Sequence, residues 1–163
     1  MTGESLQQQY GVRGVCFGCG PLNDKGLQIN SFVEDDRVVA TFQPQPGHEG
    51  FAGMMNGGII SALLDCHSNW TAAWHIMTEK KLVEPESTVT GGFTIKFLKP
   101  TPMDKPVTLV AKVVSSTEKK AVVQSTLLYD GDPTAEFEGA FLVVKEGHPA
   151  YNQWNPDSHI PIS

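Results

Sequence analysis

The chain has 163 residues, 40% of them hydrophobic and 18% charged, which is the size and balance of one globular domain with a core of its own. Its net charge of −6 argues against a nucleic-acid partner, because phosphate binding needs clustered Lys and Arg. No run approaches the roughly 20 apolar residues that span a bilayer. The opening MTGESLQQQY lacks the basic and apolar parts of a signal peptide, so a cytoplasmic protein with no membrane partner is expected.

Residues 1–26 read as an irregular lead-in, rich in Gly and polar residues. Two short strands are expected at about 27–33 and 37–43, with Glu34, Asp35 and Asp36 supplying the turn between them. QPQPGHEGFAG then reads as a loop, since its prolines and glycines suit no regular element.

From Asn56 the pattern changes. NGGIISALLDCHSNWTAAWHIMTEKK holds no proline, and its apolar residues spread nearly all round a helical wheel. Asn56 suits an N-cap, while Lys80 and Lys81 suit the negative end of the helix dipole. A largely buried helix over about 57–78 follows. Four strands come next, over 88–98, 106–116, 121–129 and 135–145, with Asp130-Gly131 as a hairpin turn. In the first of them Val89, Phe93, Ile95 and Phe97 alternate with Thr88, Thr90, Thr94 and Lys96. Residues 146–163 carry prolines and no period, and read as a surface tail or a disordered one.

A helix apolar on most faces can be buried by a single sheet only if that sheet wraps around it. The expected fold is therefore α+β, a curved antiparallel sheet around one central helix, with the domain proper at 27–145.

Asp65 is the most informative residue. It lies mid-helix with no Lys or Arg at positions 61, 62, 68 or 69, so no ion pair along the helix neutralises it. Its face holds Gly58, Ser61, Ala62, Ser68, Asn69 and Ala72, small or neutral residues that let a ligand or backbone approach. A partly desolvated carboxylate there becomes a stronger base or nucleophile; the plainer alternative is an exposed helix carboxylate, or one paired with a distant Arg. Gly57 and Gly58 open the helix at a cost of ~1 kcal/mol each relative to Ala. Bare backbone N–H groups of both glycines at that positive end suit the oxyanion of an attacked carbonyl; the alternative is that glycine simply permits tight packing or an unusual entry angle there. Asn56 and Asp65 stand roughly 13 Å apart along the axis, so one chain's carboxylate does not reach a carbonyl held on its own helix start.

The segment HEGFAGMMNGGIISALLDCH resembles the signature of the hotdog-fold thioesterases of the phenylacetate-degradation type: His-Gly-Gly, six residues, then Asp. TVTGGFTIKFLKPTP is similar to the strand of that family that ends in an apolar residue and a proline. The resemblance implies an acyl-CoA thioesterase that needs no cofactor or metal. In it Asp65 is base or nucleophile, Gly57 and Gly58 polarise the thioester carbonyl, and Thr90 positions the water. It also implies a homodimer, often paired into a tetramer, with sites between protomers. Two positions depart from the pattern. Asn56 stands where the family usually has His, able to cap the helix and donate to a carbonyl. Gly50 stands where Asn or Gln is common, with His48 or Glu49 as substitutes. A non-catalytic acyl-CoA-binding module on the same scaffold is the alternative these departures motivate; a dehydratase lacks a companion His and carboxylate.

Other residues have plainer readings. His67 lies about 200° round the helix from Asp65 and suits a hydrogen-bonded core or interface position. Trp70 and Trp74 suit the core. Lys96, Lys99 and Lys105 either meet CoA phosphates or are solvated. Cys16-x-x-Cys19 lacks, in sequence, the two further nearby ligands of a structural zinc site.

Overall fold

In the computed structural model, residues 3–155 are described. Helix α1 (Leu6–Tyr10) precedes strands β1 (Phe32–Glu34) and β2 (Arg37–Phe42). A small hairpin of β3 (Glu49–Phe51) and β4 (Met54–Met55) leads into the central helix α2 (Gly57–Glu79). The strands β5 (Thr88–Phe97), β6 (Val107–Thr117), β7 (Lys120–Tyr129) and β8 (Asp132–Val143) complete the chain. The main sheet is antiparallel in the order β1-β2-β6-β7-β8-β5.

Leu63, Leu64, Trp70, Ala72, Ala73 and Ile76 of α2 are buried against Leu109, Ala111, Val123, Leu127, Phe137 and Phe141 of the sheet. Burial of helix residues on nearly every side is what the apolar wheel requires, and it yields the expected hotdog architecture. Asn56 caps α2, its Oδ1 accepting from Gly58 N–H at 2.7 Å. The Asp130-Gly131 turn has φ of 52° and 84°, as a two-residue hairpin of the primed type demands. Among the described residues no helix is long and apolar enough to cross a membrane.

Four expectations are corrected. The stretch QPQPGHEGFAG, expected as a loop, contains β3, which pairs with β4. The lead-in contains α1, started by a capping box in which Ser5 Oγ accepts from Gln8 N–H and the Gln8 side chain accepts from Ser5 N–H. The first strand begins only at Phe32, because Leu27 and Ile29 give their N–H groups to Phe17 O and Gly18 O instead of to a sheet. The segment after β8 packs rather than trails. Trp154 stacks on Trp70 at 4.2 Å and Gln153 donates to Thr88 O, since a large aromatic gains most by leaving water. The remaining tail residues, 156–163, lie outside the described residues.

His67 is fully buried in the core. Ser31 Oγ lies 2.9 Å from its Nδ1 and Val38 O 3.0 Å from its Nε2. Gln7 Nε2 in turn donates to Ser31 Oγ. A neutral imidazole, donating from Nε2 and accepting at Nδ1, fits this arrangement and ties α1, α2 and β2 together. Burial holds its pKa down at about 4, against 6.5 in the open chain. Between these values the unfolded chain binds the proton and the native one does not, so stability falls as pH drops through that window. The expected loss is about 3 kcal/mol by its lower end, read by urea melts from pH 7 to pH 4; in His67→Gln this component of the slope should vanish.

Candidate active site

Two polar contacts join the middle of α2 to β5. Thr90 Oγ1 donates to Asp65 Oδ1 at 2.7 Å. One helical turn on, Thr88 Oγ1 donates to Asn69 Oδ1 at 2.6 Å, and Asn69 Nδ2 donates back to Thr88 O. The pairing of positions four apart on a helix with positions two apart on a strand follows from the two repeats. Sequence reasoning placed Asn69 on the Asp65 face but missed its partner Thr88.

Thr90 reaches the helix because β5 carries a bulge between Thr90 and Gly92. Strict alternation sets Thr88 and Thr90 opposite Phe93, Ile95 and Phe97. The extra residue shifts the phase, so Thr90 lies across from buried Phe141, and Phe93 and Ile95 lie across from Gly139 and Phe137. All of them thus share the helix side of the sheet. Lys96 and Thr94 instead line the outer face with Gln124, Glu136 and Glu138. The chain therefore does not bring Lys96 to Asp65.

Asp65 is half-buried, and among the described residues no cation pairs with it. Burial pushes its carboxyl above the ordinary carboxylate range, opposed by the Thr90 hydrogen bond. Thr90 holds Oδ1, and no other donor among the described residues binds the carboxylate. The remaining oxygen is available to a water or a substrate.

At the helix start the two glycines separate in role. Gly58 N–H is taken by the Asn56 cap, which corrects the expectation that both amides are bare. Gly57 N–H has no such partner among the described residues. A Cβ on Gly57 would lie 3.2 Å from the Phe97 ring. Beside it opens an apolar cleft of about 420 Å³, lined by Phe51, Met55, Ile60, Phe97 and Leu98. His48 borders this region through its backbone, its O accepting from Asn56 N–H at 2.8 Å. Its Nδ1 accepts from Gln45 N–H, and its ring stacks on Phe42. Gly50 is pressed against the cap, since a Cβ there would lie 3.0 Å from Asn56 Cα. Glu49 accepts from Gly53 N–H and is occupied in its own turn.

Gly57 and Asp65 lie about 12 Å apart along the axis. Strand β5 forms one end of the sheet, with Phe93 and Phe97 exposed at 45% and 50%.

The architecture is that of hotdog-fold proteins of known structure. A Thioesterase superfamily protein from Shewanella loihica matches with a TM-score of 0.61 and 26% identity, covering 72% of this chain and 91% of its own. BH2602 from Bacillus halodurans, solved with CoA, matches with a TM-score of 0.60 and 27% identity, covering 73% of this chain and 76% of its own. The PaaI protein of the E. coli phenylacetic acid degradation operon shares the fold with a TM-score of 0.58 at 18% identity, over 73% of this chain and 81% of its own. A search of the curated proteins gives no match. The sequence pattern of the Thioesterase superfamily matches residues 52–135. The chain belongs to that superfamily, and thioester hydrolysis is the general chemistry this supports.

Proposed function

We propose that the protein hydrolyses an acyl-CoA thioester, with Asp65 as base or nucleophile and the carbonyl held on Gly57 N–H of a second protomer. The observation that carries this reading is the Asp65 carboxylate, half-buried and without a cation, anchored by Thr90 and with one oxygen free. Attack on the thioester carbonyl places negative charge on its oxygen, which the unpartnered Gly57 N–H at the positive end of α2 stabilises. Collapse of the tetrahedral intermediate expels the CoA thiolate, which takes up the proton given up by the attacking water. Where Asp65 itself attacks, water then hydrolyses the mixed anhydride it forms, and by either route the products are the acid and free CoA.

Separation along the helix requires the two halves of the site to come from different chains. The long, exposed β5 edge with Phe93 and Phe97 suits pairing with a second copy. The apolar cleft beside Gly57 suits the acyl group. The CoA in the Bacillus halodurans protein supports CoA as the thiol.

A panel of aliphatic and aromatic acyl-CoAs, with released thiol detected, tests the proposal. Turnover of at least one member is expected. Binding of the same thioesters by thermal shift with no turnover would establish a non-catalytic acyl-CoA-binding module instead. Thr90→Val should cut kcat by roughly one to two orders of magnitude and leave KM nearly unchanged, as for a group that orients the reacting water.

A further inference from the structure

The fold gathers all three cysteines of the chain. Cys16 and Cys19 sit in the N-terminal lead-in, and Cys66 sits on α2 beside Asp65. Their Sγ atoms all lie within 4.8 Å of one another, with Cys16 and Cys66 at 3.7 Å. Zinc–sulfur bonds of ~2.3 Å at tetrahedral angles set sulfurs about 3.8 Å apart. The observed separation fits two ligands sharing one ion, as it fits two thiols in contact, and is far longer than the ~2.05 Å of a disulfide.

The surrounding chain is shaped to the cluster. Residues 16–20 form a tight turn closed by Gly20 N–H donating to Cys16 O at 2.8 Å. A Cβ on Gly20 would lie 2.4 Å from Cys16 N, and one on Gly18 would lie 2.2 Å from Cys66 Sγ. Both glycines of the Cys-Phe-Gly-Cys-Gly stretch are therefore needed for the sulfurs to meet. The indole N–H of buried Trp70 has no hydrogen-bond partner among the described residues.

We propose that Cys16, Cys19 and Cys66 form a tris-thiolate site for a thiophilic d10 ion, zinc or copper(I), that clamps the N-terminal lead-in to the central helix beside Asp65. Soft thiolate ligands select such ions. Binding displaces the three thiol protons. Zinc takes water as its fourth ligand on the exposed Cys16 side, whereas copper(I) is satisfied by three sulfurs. The clamp explains why Cys19, Leu27 and Ile29 are drawn into the core around α2, although the lead-in contributes no strand to the sheet. It stands independently of the hydrolysis assigned to Asp65.

Elemental analysis of untagged protein, purified without chelator, tests this. About one zinc or copper ion per protomer is expected, and which element is found decides between the two ions. Cys16→Ser, on the exposed side of the cluster, should bring the metal content to background while circular dichroism shows the fold retained. Cobalt(II) added to chelator-stripped wild type should give a sulfur-to-metal charge-transfer band, absent in Cys66→Ser. Stripping should lower Tm, with zinc or copper(I) restoring it in the wild type only. Metal-free protein with three titratable thiols and no cobalt band would overturn the proposal. So would a mass lower by two hydrogens, marking a disulfide.

Discussion

Replacing Asp65 with Asn is expected to lower kcat for the preferred acyl-CoA by roughly 10²–10⁴, the range for loss of a positioned base, while the protein stays as stable as before or becomes more so. The side chain keeps its shape, and an amide oxygen still accepts from Thr90 Oγ1, so the contact between α2 and β5 survives. What disappears is a half-buried charge with no cation among the described residues. A charge taken partly out of water and left unpaired is a cost to the fold, and removing it relieves that cost. Activity and stability thus move independently, which is the mark of a group kept for chemistry. KM should change little, because the carboxylate acts on the reacting atoms and adds little to ground-state binding. Steady-state kinetics beside thermal melts of both proteins check the pair of expectations. An Asp65→Asn enzyme with unchanged kcat would remove Asp65 from the mechanism. A lowered Tm would show that the charge has a structural partner after all.

The helix and the four later strands were readable because burial repeats with the period of each element. The span 57–78 expected for the helix became Gly57–Glu79, and 106–116 became Val107–Thr117. Asp65 was legible for a related reason, as a charge without a partner on an otherwise neutral helix face. The phase of β5 was not. Alternation assumes one residue per position, and the bulge at Gly91 breaks that count. The pair Gly91-Gly92 was the available signal, since glycine inside a strand often marks a bulge. Thr90 was placed at the site by resemblance, while the simple alternation set it on the face opposite Phe93. The cysteine cluster was hidden for a different reason. Cys66 is fifty positions from Cys16, and only the packing of the lead-in across α2 brings a third sulfur to the pair. Trp154 belongs to the same class, as a tail residue whose partner Trp70 lies far away in sequence.

Gly57 makes a second test that separates the N–H donor from the helix it begins. Proline at the first position of a helix is well tolerated, because that N–H has no intrahelical acceptor and the ring fixes a helical φ. The preceding residue must be extended, and Asn56 already is, with φ −63° and ψ 134°. The hydrogen bonds from Gly58 N–H to Asn56 Oδ1 and from Ser61 Oγ to Gly57 O do not involve the lost proton. Gly57→Pro should therefore keep α2 and delete one donor from the carbonyl site. Loss of one oxyanion donor typically lowers kcat by ~10²–10³. Gly57→Ala is the companion variant. It adds the same Cβ, 3.2 Å from the Phe97 ring, which the aromatic side chain can accommodate by a small shift, and it keeps the N–H. The expected order is wild type, then Ala with a several-fold loss, then Pro with the full loss, all with similar helicity by circular dichroism. Equal losses in Ala and Pro would assign the effect to crowding of the cleft by the Cβ. In that case the carbonyl would have to be polarised by another donor, such as the Asn56 side-chain amide.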